Sequence, residues 1–209
     1  MKKILFLLLW LLTTGCNKQP LVTMEQREAY YSIKGTYRIE SILWDGLPLD
    51  LDNDGKSSVD LYDELKGFAL VDIGNEAAAT VHSNSLGFPG GVFDGNVSIA
   101  LPFQGVERSY SPAGGIYCAP DGLRWAVSLM FVIERDGTVL FDDVSNLGLC
   151  DDDYRLDVSY VRDIKLKKTG AGRLQLSTDW LFYDYATSSV VTGIVTVSYV
   201  RTGQDTFII

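Results

Sequence analysis

The chain has 209 residues, 46% of them hydrophobic, with 27 acidic against 18 basic side chains and a single histidine. That apolar share can fill the core of one sizeable domain and excludes wholesale disorder. The formal charge of −9 repels nucleic-acid phosphates, which excludes that partner class, and favours cations.

Taken in chain order, the first signal is for export. Lys2 and Lys3 make a short positive region, and Ile4 to Leu12 is an unbroken apolar run of nine residues, too short to span a bilayer. Thr13-Thr14-Gly15-Cys16 then resembles the lipobox of bacterial lipoproteins, with Thr13 where Leu is usual. The resemblance implies that residues 1–15 are a lipoprotein signal peptide, that the chain is cut before Cys16, and that the Cys16 thiol carries the lipid. An ordinary signal peptide or an uncleaved anchor is the alternative. Loss of Lys2 and Lys3 takes the formal charge to about −11. Two or three acyl chains hold a protein firmly on a membrane, so the expected location is the cell envelope, at the outer membrane. Residues 16–29 show no clean periodicity and read as a lipidated tether, with a single domain over 30–209.

Strand signals dominate that domain. Tyr37 to Leu43 alternates like a half-buried strand, and Gly67–Ile73, Ala79–His82 and Val97–Phe103 are further candidates. Arg124–Glu134 is strongly apolar, and Asp136-Gly137 predicts a two-residue hairpin turn into Thr138–Phe141. Val158–Lys167, Arg173–Tyr185 and Ser188–Arg201 form a meander turned at Thr169-Gly170-Ala171-Gly172. Along the second of these, alternation places Trp180 and Phe182 on one face and Tyr183 and Tyr185 on the other. Such aromatics fill a core, line a cavity or stack on a sugar. One short helix is expected, capped at Ser57 or Ser58 and running through Leu61, Leu65 and Phe68 to Leu70. Many short antiparallel strands with one short helix predict an all-β meander barrel, with a β-sandwich as the alternative.

The most specific motif is Asp50-Leu51-Asp52-Asn53-Asp54-Gly55-Lys56-Ser57-Ser58-Val59-Asp60. Oxygen ligands at positions 1, 3 and 5 with Gly at 6 match the opening of an EF-hand calcium loop. Alternate side chains converge on one hard cation while the glycine permits the sharp turn. Asp50, Asp52 and Asp54, the Lys56 carbonyl, Ser58 and Asp60 are the expected ligands. Position 12 is Leu61, so the usual bidentate Glu is missing, with Asp60 the nearest replacement and Glu64 a helical turn beyond. Loss of that ligand predicts affinity of about 0.1–1 mM. The alternative is a metal-free acidic turn. Asp142-Asp143 and Asp151-Asp152-Asp153 read as solvated loops, with a second cation site as their alternative.

The run Ile33-Lys34-Gly35-Thr36-Tyr37-Arg38, then Asp45-Gly46 and the acidic loop to Asp60-Leu61, resembles the opening of lipocalin-like lipoproteins from Bacteroidetes. It covers about a fifth of the chain. Tyr37 stands where Trp is usual, and residues 84–155 have no counterpart. The resemblance implies a small antiparallel barrel that binds an apolar or amphipathic ligand.

With Cys16 lipidated, Cys118 and Cys150 remain, an even pair that predicts one disulfide in an oxidising compartment, stabilising by about 3–4 kcal/mol. Two separate thiols are the alternative. No Gly-x-Ser-x-Gly elbow accompanies the lone His82, which reads as a strand residue without a chemical role, and no zinc ligand set exists. No enzyme is expected. The expected function is small-ligand binding by a membrane-anchored barrel with a structural calcium. A non-enzymatic envelope interaction or assembly component without a pocket is the alternative. A glycan hydrolase is a third reading, requiring facing carboxylates about 5–9.5 Å apart.

Overall fold

The computed structural model describes residues 22–66, 79–83, 93–102, 104–108, 116–119, 124–146 and 161–203. Among these, eleven strands and two helices follow in order: α1 (Met24–Ile33), β1 (Gly35–Trp44), α2 (Tyr62–Lys66), β2 (Ala79–Ser83), β3 (Phe93–Pro102), β4 (Gly105–Arg108), β5 (Ile116–Ala119), β6 (Arg124–Ile133), β7 (Val139–Phe141), β8 (Val144–Asn146), β9 (Arg162–Gly170), β10 (Arg173–Asp184) and β11 (Ser189–Gly203). Nine strands form one antiparallel sheet in the order β7-β6-β3-β2-β1-β11-β10-β9-β8, and β4-β5 form a separate ribbon. The sheet curls into a nearly closed barrel, the all-β architecture expected.

Closure has a covalent cause. β7 pairs with β6 at one margin of the sheet, and β8 pairs with β9 at the other. Only the exposed Asp142 and Asp143 separate β7 from β8. One short stretch therefore changes partners and draws the two margins together, which leaves fewer exposed strand edges.

The interior follows the two-residue alternation. Ile39, Ile42, Val81, Val97, Leu129, Phe131, Leu166, Leu176, Trp180, Phe182, Val197 and Tyr199 belong to one buried cluster. In β1 the pattern shifts phase at a register irregularity between Ile39 and Ser41. A bulge flips every later side chain to the other face, so Ile42 and Trp44 point inward and Leu43 is 45% exposed. Uninterrupted alternation from Tyr37 would have buried Leu43 instead. Gly95 in β3 is required by a close approach: a Cβ there would lie 2.2 Å from the His82 carbonyl oxygen and 2.4 Å from the Phe131 ring.

Two expectations are corrected. The turn between β6 and β7 has three residues. The Gly137 amide donates to the Glu134 carbonyl, the Glu134 amide donates to Thr138, and only Gly137 takes a positive φ, of 86°. A two-residue turn of the Asp-Gly type needs positive φ at both positions, and Asp136 lacks it. Residues 24–29, read as tether, belong to α1, so the described residues hold two helices. Thr23 and Gln26 form a reciprocal capping box. Gln26 is fully buried and donates to the Ile133 carbonyl at 2.8 Å. At its far end α1 accepts the Gly172 amide on the Ser32 carbonyl, 3.0 Å, and the Arg201 guanidinium on the Tyr31 carbonyl, 2.9 Å. α1 thus crosses one end of the barrel from the β6–β7 turn to the β9–β10 turn.

The expected strand over Gly67–Ile73 lies outside the described residues, as do Cys16, Cys150, Asp151–Asp153 and residues 67–70 of the expected helix.

Candidate metal centre

The acidic loop sits at the barrel end opposite α1, and its closure is backbone work. Leu49 and Ser58 exchange both main-chain hydrogen bonds, each 2.9 Å, pinching residues 50–57 into a loop. Inside it the Gly55 amide donates to Asp50 Oδ2 (3.1 Å), the Asp54 amide to Asp52 Oδ1 (3.1 Å) and the Lys56 amide to Asp54 Oδ1 (2.8 Å). Asn53 and Gly55 take positive φ of 62° and 81°. These are the conformations the Asn and Gly at those positions permit most cheaply.

After the loop, Leu61 donates its amide to the Ile42 carbonyl at 2.7 Å, and the buried Leu61 and Leu65 fasten the next segment against the core. Asp60 caps the short α2 by accepting the Tyr62 amide at 3.1 Å. That turn carries Glu64 back over the loop, where its Oε2 accepts the Leu51 amide at 2.9 Å.

The result is a group of three carboxylates. Asp50, Asp52 and Glu64 each place one oxygen so that all three lie within 4.8 Å of one another. Asp50 is 3% and Glu64 6% exposed, and Asp50 Oδ1 is buried without a hydrogen-bond partner. A lone buried carboxylate oxygen is costly to desolvate. Burial pushes the Glu64 carboxyl above its ordinary pKa. The Leu51 amide opposes that rise, and the neighbouring charges of Asp52, Asp50 and Asp54 add to it. Oxygens of this kind suit a hard divalent cation, and about 4.8 Å is the widest spread for two oxygens bound to one calcium at about 2.4 Å.

Asp54, Ser58 and Asp60, also expected as ligands, hold hydrogen-bond partners of their own. Asp54 Oδ2 pairs with Lys56 Nζ at 2.6 Å, and the hydrogen bonds from Lys56 hold the exposed Asp54 carboxyl below its usual pKa. Ser58 Oγ accepts the Asp60 amide at 3.0 Å. Asp50 and Asp52 are thus joined by Glu64, a residue outside the expected ligand set. Asp60 capping α2 places the residue four further on above the loop.

Hydrogen bonds with Asp184 and Gln104 fix the loop to the barrel. Asp184, 2% exposed at the end of β10, accepts the Asp50 amide at 3.0 Å and the Thr187 hydroxyl at 2.6 Å. Burial alone would raise the Asp184 pKa. Bonds from the Thr187 hydroxyl and from the Asp50, Ala186 and Thr187 amides outweigh it and hold the carboxyl below its ordinary value. Gln104 is fully buried, donates to the Leu51 and Tyr183 carbonyls at 2.8 and 3.0 Å, and accepts the Tyr183 amide at 2.8 Å. Truncation by Gln104→Ala leaves those groups unpaired and is expected to cost about 2 kcal/mol in a denaturant melt. An unchanged midpoint would contradict this role.

Cys118 lies on β5, its backbone paired with Val106; with Cys150 outside the described residues, the bridge has no geometry here. His82 is exposed on β2. Trp180 and Phe182 stack in the core with centroids 6.0 Å apart, and Tyr183 meets Tyr185 edge-on at 5.1 Å. No family model, curated protein or solved structure matches the chain.

Proposed function

We propose that this chain is a lipid-anchored β-barrel of the cell envelope, tethered through Cys16, that works by binding and carries a structural calcium held by Asp50, Asp52 and Glu64. The supporting observation is the convergence of these carboxylates around a buried, unpartnered Asp50 oxygen. Backbone carbonyls of the loop, Lys56 among them, are the natural source of further oxygen ligands. The anchor rests on the sequence of residues 2–16. Cys16 lies six positions before Val22, so an extended connection reaches at most about 20 Å. The α1 end then faces the bilayer and the acidic loop faces the medium. Outside the cytosol, Cys118 and Cys150 also find the oxidising conditions a disulfide needs.

Thermal melts in calcium, magnesium and chelator test the reading. Calcium at a hundredfold excess over its Kd is expected to stabilise by about 2.7 kcal/mol, a rise in Tm of about 5–10 °C. Magnesium, which demands a tighter octahedral shell, is expected to do less. No shift up to about 10 mM calcium, tenfold above the weak extracellular range, would contradict it.

A further inference from the structure

The barrel does not close evenly. Among the described residues, β8 pairs with β9 only at Ile164 and Arg162. From Lys165 to Gly170, β9 has β10 on one side and on the other faces β7 across a seam with no strand pairing among the described residues. A cleft of about 430 Å³ lies along this seam, lined by residues 137 and 139–141, the outward-facing Leu140 among them, and by Leu166, Lys167 and Lys168. Val139 and Phe141 lie opposite the buried Ile133 and Phe131, so they share the inward face. Leu166 is paired with Leu176 on that same face. The floor of the cleft is thus continuous with the apolar interior.

Two cations, Lys167 and Lys168, line the cleft. In a chain of formal charge −9, β9 carries Arg162, Lys165, Lys167 and Lys168 against a single acidic residue, Asp163. Lys168 donates to Ser32 Oγ at 2.7 Å, and neither Lys167 nor Lys168 has a carboxylate partner among the described residues.

We propose that the seam cleft binds a single-chain anionic amphiphile, with the acyl chain on Val139, Phe141 and Leu166 and the headgroup on Lys167 and Lys168. An apolar floor with a few convergent polar groups is the usual form of a small-molecule site, and the volume falls in the usual range. An added peptide strand does not fit. Where β7 and β9 come within 8 Å between Cα atoms there is no room for one, since an inserted strand needs about 4.8 Å on each side. A flat membrane surface cannot reach Leu166, which is 6% exposed. The inference deepens the binding reading above and is independent of the cation centre, which lies at the other end of the barrel.

The test is photo-crosslinking of the full-length protein in phosphatidylcholine vesicles with a diazirine derivative of laurate, mapped by mass spectrometry. Labels are expected on 137–141 and 166–168. Lys167→Gln with Lys168→Gln is expected to reduce labelling about tenfold, the loss of one or two charge-assisted contacts. An alkyl trimethylammonium probe is expected to label weakly. Equal labelling by that cation, labels confined to other elements, or a signal abolished by anionic phosphatidylglycerol in the vesicles would each overturn the proposal, the last by reassigning the lysines to a membrane surface. The calcium-dependent melt is read on the same double variant. It stays unchanged if the lysine change leaves the fold intact, and its loss in wild type would remove the cation reading without touching this one.

Discussion

Replacing Glu64 with Gln should change sign with calcium: the variant is expected to melt above wild type in chelator and below it in saturating calcium. The first half follows from burial. Glu64 sits beside two other carboxylates, almost out of solvent, and a neutral amide removes the repulsion while keeping an oxygen for the Leu51 amide. The second half follows from ligand chemistry, because the amide is a poorer cation ligand and forfeits most of the roughly 2.7 kcal/mol available at a hundredfold excess. The pH dependence is fixed by the same shift. With the folded pKa raised above the unfolded value, the calcium-free fold holds this proton more tightly than the unfolded chain. Its stability therefore falls as pH rises from the ordinary carboxylate range through the raised value. Calcium must displace that proton, so apparent affinity falls as pH drops through the same window. Two melts per variant at two pH values check all of this. A variant less stable than wild type in chelator would contradict it.

The other large effect is in the barrel interior. Phe182 is 1% exposed, stacked 6.0 Å from Trp180 and edge-on at 5.7 Å to Trp44. Truncation by Phe182→Ala removes the transfer energy and leaves a cavity, about 3–5 kcal/mol together. At about 2–4 °C per kcal/mol for a chain of this size, Tm falls by roughly 6–20 °C. Met130→Ala on the outer face of β6, where the side chain is 41% exposed, is expected within about 0.5 kcal/mol of wild type. Similar losses for the two would contradict the assignment of inside and outside.

Much of the sheet was legible because its strands alternate and its turns carry glycine. β1, β6, β10 and β11 appear close to their expected positions, since each is long and paired to a sequence neighbour or strongly patterned. β9 instead continues to Gly170, past its expected end at Lys167, and residues 158–160 of that expectation lie outside the described residues. α1 carries one legible sign, the Thr23-x-x-Gln26 capping box, but its inward face includes Gln26, whose burial makes sense only beside the Ile133 carbonyl. The first half of β3 escaped notice because Asp94, Gly95 and Asn96 are poor strand formers; Gly95 is there to admit the Phe131 ring. The change of partners at Asp142-Asp143 is a non-local pairing of three-residue strands, too short to leave a periodic trace. In the candidate site, the Asp-rich loop announced itself by spacing. Glu64 did not, because its approach depends on a five-residue helix anchored by Leu61 and Leu65.

Isothermal calorimetry of wild type against the Asp50→Asn, Glu64→Gln double variant measures the ion itself. One calcium per wild-type chain, absent from a double variant with an unchanged far-UV spectrum, is the predicted result. Uptake retained by the variant, or none by wild type at millimolar calcium, would show that these carboxylates do not form a cation site.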